Sequence, residues 1–105
     1  MPKPTGARLI AIERTRQIRI KNWTPEYDAR HAKGQLGFAG LGYLLAALNK
    51  TGKPASEVPV PPPFWPWTVK DFKPAPEPVR NLVKAGALIA AEIDRILRER
   101  EIERG

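Results

Sequence analysis

The sequence contains no cysteine and a single histidine, His31, among its 105 residues. The absence of cysteine excludes disulfide frameworks, thiol nucleophiles and cysteine-ligated zinc. One histidine is too few for a histidine-rich metal site or a Ser-His-Asp relay within one chain. No apolar run approaches the roughly 20 residues that span a bilayer, and the first residues lack the apolar region of a signal peptide. We therefore expect a soluble cytoplasmic protein with no cofactor, no metal site and no membrane association.

The charge of the chain is one-sided. Its formal net charge is +7 at pH 7 and its pI is about 10.2. Residues 1–53 carry ten basic against three acidic residues, which accounts for the whole excess. Such a surface favours phosphate-bearing or polyanionic partners, although a basic surface that only keeps a protein soluble has the same composition. An anion-binding site is therefore expected in the first half of the chain.

Helix-forming patterns and proline occupy different parts of the sequence. Residues 7–22 are good helix formers without glycine or proline, and they place apolar side chains on two nearly opposite faces. In the helical segment 24–49, Thr24 can cap the helix and Pro25 suits its first turn. Four glycines in this segment predict the close approach of another helix or a ligand. The segment 54–76 is rich in proline and aromatic residues, and we expect an extended loop whose aromatic side chains pack onto the helices.

The last segment, 78–104, has the clearest helical spacing. Apolar side chains that we expect on its packed face recur every three or four positions, at Val79, Leu82, Val83, Gly86, Ala90, Ile93 and Leu97. A helix of this length measures about 40 Å, which is longer than a small domain is wide, so we expect its end to project or to meet another subunit of a homo-oligomer. The sequence thus predicts a mainly α fold: one domain over residues 1–105, with three to four helices, a long C-terminal helix and a proline-rich aromatic loop.

Four blocks of the sequence, in this order and spacing, resemble a family of small phage and prophage proteins. They are E-R-x-R-Q at 13–17, W-T-P-E-x-D-x-x-H at 23–31, W-P-W at 65–67 and R-x-L-V-K-A-G-A-L-I-x-A-E-I-x-R at 80–95. The chain departs from the family at Tyr27, where histidine is common, and at Ala29, where a second aspartate is common. The resemblance implies a phage-encoded accessory protein that acts inside a bacterial host.

Aromatic and basic residues overlap along the chain. All eight aromatic residues lie between Trp23 and Phe72, a range that overlaps the half that carries the positive charge. Arginine binds phosphate through a planar fork, and tryptophan stacks on bases, so this combination favours a nucleotide-type anion such as a host defence signal. The candidate ligand-binding residues are Arg14, Arg16, Trp23, Asp28, His31, Trp65, Trp67, Arg80 and Lys84.

Several other functions remain open at this point. A two-carboxylate, one-histidine metal site from Glu13, Asp28 and His31 is conceivable, but ordinary charges at a helix start explain Asp28 and His31 more simply. The first two predicted helices contain no E-x-x-E pair for magnesium, so hydrolysis is disfavoured and we assign no catalytic residue. The alternatives are a nucleic-acid-binding module, a small nucleotide hydrolase whose site is completed across subunits, and an inhibitor that binds a host enzyme through its proline-rich loop.

Overall fold

The structure, a computed structural model, describes residues 3–21, 34–48 and 64–104. This part of the chain contains three α-helices and one turn of 3₁₀ helix and is mainly α, as the sequence predicts. The elements are α1 (Gly6–Arg19), α2 (Gln35–Leu48), the 3₁₀ turn (Val69–Asp71) and α3 (Pro78–Arg104). None of the described helices is both long enough and apolar enough to cross a membrane.

Helix α3 is the long C-terminal helix that the sequence predicts. It begins at Pro78, whose fixed φ suits the first turn and whose missing N–H costs no hydrogen bond there. No further proline follows, and the helix continues for 27 residues to Arg104. Both other helices pack on α3, which makes it the central element of the described fold.

Helix α2 packs closely against α3 through a glycine. Its buried residues Leu36, Ala39, Tyr43 and Ala47 recur at helical spacing and face the core. At Gly40 a Cβ atom would lie 3.2 Å from the carbonyl oxygen of Ala85, so a larger residue would push the two helices apart. This is the close helix approach that the glycines of this segment predict. The expected helical segment 24–49 is described from Gly34 onward, and its residues 24–33 lie outside the described part of the chain.

Helix α1 is capped by Thr5, whose hydroxyl accepts a hydrogen bond from the Arg8 N–H at 3.2 Å. Its buried residues are polar, Glu13 and Gln17, whereas Ile12 is 54 % exposed. The apolar face of this helix that contains Ile12 is therefore not its buried face. The reason is electrostatic, because the buried carboxylate of Glu13 forms ion pairs with Arg16 and Arg80. An apolar side chain at this position could not form them.

The packed face of α3 also differs from the sequence prediction. Val79, Leu82, Ile93 and Leu97 were expected on that face, and they are 41–52 % exposed. Of the expected residues the helix does bury Val83, and its other buried residues are Asn81, Ala85, Ala87, Leu88, Ala91 and Arg95. Alanine lets α1 and α2 approach α3 from two sides, so the residues that pack are those between these helices and not the bulkiest ones.

The described part of the proline-rich segment carries an aromatic cluster. Trp65 lies at its centre, with ring centroids 4.8 Å from Phe72, 5.7 Å from Tyr43 and 5.6 Å from Trp67. A Cβ atom at Gly42 would lie 3.1 Å from the Trp65 ring, so α2 presents bare backbone to this indole. The aromatic residues of the loop thus pack onto α2, while residues 54–63 lie outside the described ranges.

Candidate functional site

A cavity of about 540 Å³ opens between α1, α3 and the loop that precedes α3. Its size falls in the range of small-molecule sites, roughly 300–1,000 Å³. The residues that line it are Glu13, Arg16, Gln17, Lys21, Tyr43, Trp67, Asp71, Lys73, Ala75, Arg80, Lys84 and Leu88.

A buried carboxylate joins two guanidinium groups at this cavity. Glu13 is only 2 % exposed, and its Oε1 atom accepts from Arg16 Nε at 2.8 Å and from Arg80 Nη2 at 2.7 Å. Its Oε2 atom accepts from Arg16 Nη2 at 2.9 Å and from Gln17 Nε2 at 3.2 Å. Arg16 comes from α1 and Arg80 from α3, so Glu13 holds together side chains of two helices.

The protonation of Glu13 follows from competing effects. Burial raises the pKa of its carboxyl group, but hydrogen bonds from Arg16 and Arg80 and the charges of both arginines bring the pKa below its ordinary value. The hydrogen bond to Glu13 in turn raises the pKa of Arg16. The carboxylate of Glu13 and the guanidinium of Arg16 are therefore both charged at neutral pH.

Lys84 is a third basic side chain at the cavity. Its Nζ atom donates to the carbonyl oxygen of Lys73 at 2.9 Å and lies 5.3 Å from the centroid of the Tyr43 ring. Burial lowers the pKa of Lys84, and the neighbouring charge of Arg80 lowers it further. An anion placed between Lys84 and Arg80 would relieve this repulsion.

Two buried side chains fix the loop that borders the cavity. The Tyr43 hydroxyl accepts from the Lys73 N–H at 3.1 Å and donates to the Asp71 carbonyl at 3.4 Å. The amide of Asn81 accepts from the Ala75 N–H at 2.7 Å and donates to the Ala75 carbonyl at 2.9 Å. The backbone of residues 71–75 is thus held on α2 and α3 by side chains, and the rim of the cavity is set before any ligand arrives.

The charge of the lining is strongly positive. Five basic side chains, Arg16, Lys21, Lys73, Arg80 and Lys84, border the cavity together with two acidic ones, Glu13 and Asp71. The acidic side chains already have partners, since Asp71 accepts from the Thr68 hydroxyl at 2.9 Å. The arrangement is suited to an anion.

The candidate residues from the sequence divide into three groups. Four of them line the cavity together, namely Arg16, Trp67, Arg80 and Lys84, although Arg16 and Arg80 stand 64 positions apart along the chain. Arg14 and Trp65 are described but are not part of the lining, and Trp65 lies inside the aromatic cluster. The remaining three, Trp23, Asp28 and His31, lie outside the described residues.

Sequence reasoning missed several residues of the cavity. Glu13 was considered only as a metal ligand, and Gln17, Tyr43 and Lys73 of the lining were not candidates. Asn81, which holds the loop at the rim, was not a candidate either. One signal was available for Glu13, which stands three residues before Arg16 and four before Gln17, on one side of a helix. No comparable signal marks Tyr43 or Asn81, because their partners are backbone groups of a loop.

The described residues contain no group of three or more His, Asp or Glu side chains that could hold a metal ion. Comparison with models of protein families, with curated proteins and with solved structures finds no match to this chain. The resemblance to small phage proteins therefore stays a prediction, and the function has to be argued from the cavity itself.

Proposed function

We propose that the cavity binds a small phosphate-bearing anion of the nucleotide type, and that the protein captures this ligand without converting it. The observation that carries the proposal is the arrangement of Arg16 and Arg80 on the buried carboxylate of Glu13, with Lys84 on the same cavity.

Glu13 prepares the two arginines for a second partner. A guanidinium has more N–H groups than one carboxylate occupies, and its planar fork matches the oxygens of a phosphate. Because Arg16 and Arg80 are already held in place, little side-chain freedom remains to be lost when an anion binds. Their charges are only partly offset, since one carboxylate faces two guanidinium groups.

Trp67 supplies an aromatic surface beside the same charges. Stacking of a base on an aromatic side chain contributes about 1–3 kcal/mol. Trp65 and Trp67 are both partly buried, but Trp67 lines the cavity, whereas Trp65 packs against the rings of Phe72 and Tyr43. A nucleotide could therefore bind with its phosphate on the basic side chains and its base against Trp67.

The state of the carboxylates supports binding over hydrolysis. A hydrolase needs a carboxylate or a histidine to activate water or to hold magnesium. In the described lining the two carboxylates are engaged, Glu13 by the arginines and Asp71 by Thr68. With the resemblance to phage proteins, capture of a host nucleotide signal is the role that we propose for this site.

Titration calorimetry with inorganic phosphate, nucleoside monophosphates, nucleoside triphosphates and cyclic dinucleotides tests the proposal. We expect at least one nucleotide to bind with a Kd well below 1 mM and to raise the melting temperature, because a ligand of the folded state stabilises it. Arg80→Ala should weaken this binding by about tenfold or more, the loss of roughly one charged hydrogen bond. Arg100→Ala, an exposed arginine on the same helix outside the cavity, is the matched control and should bind as wild type does.

Two results would overturn the proposal. The first is that no member of the panel binds more tightly than millimolar. The second is that Arg80→Ala and Arg100→Ala bind equally well while both retain the wild-type circular dichroism spectrum. Chromatography of the nucleotide after incubation should recover it unchanged, and release of phosphate or pyrophosphate would replace capture by hydrolysis.

A further inference from the structure

The side chain of Gln17 is a buried amide at the wall of the cavity. Gln17 is 2 % exposed and borders the cavity from α1. Its Nε2 atom donates to Glu13 Oε2 at 3.2 Å, whereas its Oε1 atom is buried and has no hydrogen-bond partner among the described residues. A buried acceptor without a partner is unfavourable, and such groups are normally bonded to protein, water or a ligand. This oxygen therefore calls for a donor that comes from the cavity.

The orientation of the amide follows from the charge of Glu13. Because the pKa of Glu13 is lowered, its carboxyl group is ionised at neutral pH and can only accept hydrogen bonds. Gln17 must turn its NH₂ group toward this carboxylate, since a flipped amide would set two acceptor oxygens against each other. Oε1 is consequently held as an acceptor and cannot exchange places with Nε2.

This acceptor lies beside the guanidinium groups of the cavity. Arg16 Nη2 donates at 2.9 Å to the same Glu13 Oε2 atom that Gln17 Nε2 contacts, so the amide and the guanidinium are neighbours. Arg80 donates to the other oxygen of the same carboxylate at 2.7 Å. A molecule that satisfies both Gln17 and the arginines thus carries a hydrogen-bond donor close to its negatively charged group.

A nucleotide has three kinds of donor, namely a protonated phosphate, an N–H group of the base and a hydroxyl of the sugar. The positive charge of the guanidinium groups favours the fully ionised phosphate, which has no donor. The base lies against Trp67 in the binding mode proposed above. The sugar connects base and phosphate, so its hydroxyls are the neutral donors nearest to the phosphate.

We propose that Gln17 makes the cavity selective for ribonucleotides, with its Oε1 atom accepting a hydrogen bond from a ribose hydroxyl. This inference rests on the proposed function and adds a specificity-determining residue to it. A deoxyribonucleotide leaves Oε1 unpaired when it binds. A site that bonds a hydroxyl through a buried group discriminates strongly against a ligand that lacks the hydroxyl.

Calorimetry on the wild-type protein compares nucleotides that differ only in the sugar. The set consists of the monophosphates, triphosphates and cyclic dinucleotides of adenine, guanine, cytosine and uracil, each with ribose and with 2′-deoxyribose, and the monophosphates and triphosphates also with 3′-deoxyribose. We expect removal of one of these hydroxyls to weaken binding of the tightest ribonucleotide by at least about tenfold. The corresponding fluoro-sugar should bind as weakly as the deoxy form, because fluorine replaces the hydroxyl with little change in size but donates no hydrogen bond.

Gln17→Met tests whether this selectivity belongs to Gln17. Methionine has the length of glutamine but lacks the amide, so the variant also loses the bond to Glu13 and should bind both sugar forms more weakly. The ratio of the two dissociation constants isolates the hydroxyl contact, and it should fall to within about twofold in Gln17→Met. Gln35→Met is the matched control, because Gln35 lies at the start of α2 outside the lining, and it should keep the wild-type ratio.

Three results would overturn this inference while the proposed function stands. They are equal affinity of the wild type for the ribose and deoxyribose forms, tight binding of the fluoro-sugar, and a wild-type ratio in a folded Gln17→Met. If Gln17→Met loses its helical circular dichroism spectrum, the fluoro-sugar comparison on the wild type decides alone. Absence of binding by every nucleotide in the set would overturn the proposed function and this inference with it.

Discussion

Glu13 is the residue on which the described site depends most. Its side chain is almost completely buried, and it is joined to both arginines and to Gln17. A buried carboxylate is costly unless it is paired and hydrogen-bonded, and removing one member of such a set leaves the others uncompensated. The ion pairs should therefore hold α1 on α3 only while Glu13 is ionised.

This dependence predicts how stability changes with pH. The pKa of Glu13 is lower in the folded protein than its ordinary value of 4.5, so folding favours the ionised form. The stabilisation is fully present above pH 4.5 and is lost as the pH falls through the lowered folded pKa. Urea denaturation at pH 7 and pH 3.5 should show this loss in wild type and a smaller loss in Glu13→Gln, which cannot ionise there. Equal losses in the two proteins would show that Glu13 does not carry the effect.

The lowered pKa of Lys84 predicts that anion binding weakens as the pH rises. The stabilisation by Glu13, in contrast, weakens as the pH falls. Burial and the charge of Arg80 lower the pKa of Lys84 below 10.5, so it loses its proton at a lower pH than an ordinary lysine. The affinity for a nucleoside monophosphate should therefore fall as the pH rises from 8 toward 10, a range in which the phosphate is already fully ionised. Burial raises the pKa of Tyr43, so ionisation of its hydroxyl does not account for this loss of affinity. Calorimetry on Lys84→Arg should give an affinity that changes less over this range, and identical curves for both proteins would contradict the assignment.

At the scale of elements, the sequence predicts which segments are helical better than it predicts which faces pack. Pro78 marks the start of α3, and the lack of glycine and proline between Gly86 and Arg104 lets the helix continue to Arg104. The spacing of large apolar residues points to the wrong face, because α1 and α2 approach α3 over alanines. Which residues pack depends on where the neighbouring helices approach. The apolar pattern of one helix carries no information about that.

The same limit applies to the site. Charge and aromatic content are sufficient to select Arg16, Arg80, Lys84 and Trp67, all of which line the cavity. They do not separate Arg16 from Arg14, which stands two residues away and is not in the lining. The difference arises because only Arg16 has Glu13 at helical spacing and on the side that faces α3.

The contact between α1 and α3 predicts the effect of a larger residue at Gly86. Even a Cβ atom there would lie 2.5 Å from Ile10 Cδ1, so Gly86→Leu should lower the free energy of unfolding by about 1–3 kcal/mol. Gly6→Leu is the control, since nothing lies within 4 Å of a Cβ at that position. Thermal denaturation of both variants should show a lower melting temperature only for Gly86→Leu. An unchanged melting temperature would mean that Ile10 does not pack there.

The two tryptophans of the W-P-W block should differ in their roles. Trp65 packs on Phe72, Tyr43 and Gly42 within the cluster, so Trp65→Ala should cost about 3–5 kcal/mol of stability. Trp67 lines the cavity, so Trp67→Ala should cost less stability and should weaken nucleotide binding. Urea denaturation and calorimetry on both variants separate the two effects. The reverse ranking in stability, or full binding by Trp67→Ala, would contradict these roles.

At the scale of the whole molecule, α3 takes part in each feature described above. It packs against α1 and α2, it carries Arg80 and Lys84 to the cavity, and it leaves Val79, Leu82, Ile93 and Leu97 half exposed. The buried Arg95 adds a bond to Glu99 at 2.7 Å along the same helix, and Glu92 accepts from the Gly37 N–H at the start of α2. A change in α3 is therefore expected to affect folding and binding together, unless it is confined to the exposed face of the helix.

The polar docking face of α1 has a consequence for the order in which amide hydrogens exchange with solvent. A helix held mainly by ion pairs and a few apolar contacts opens more easily than one that buries a continuous apolar face. We expect the amides of α1 to exchange sooner than those of α3 between Val83 and Ala91. An anion shared by Arg16 and Arg80 would tie α1 to α3, so bound ligand should slow exchange in α1 most, even at residues that do not touch it.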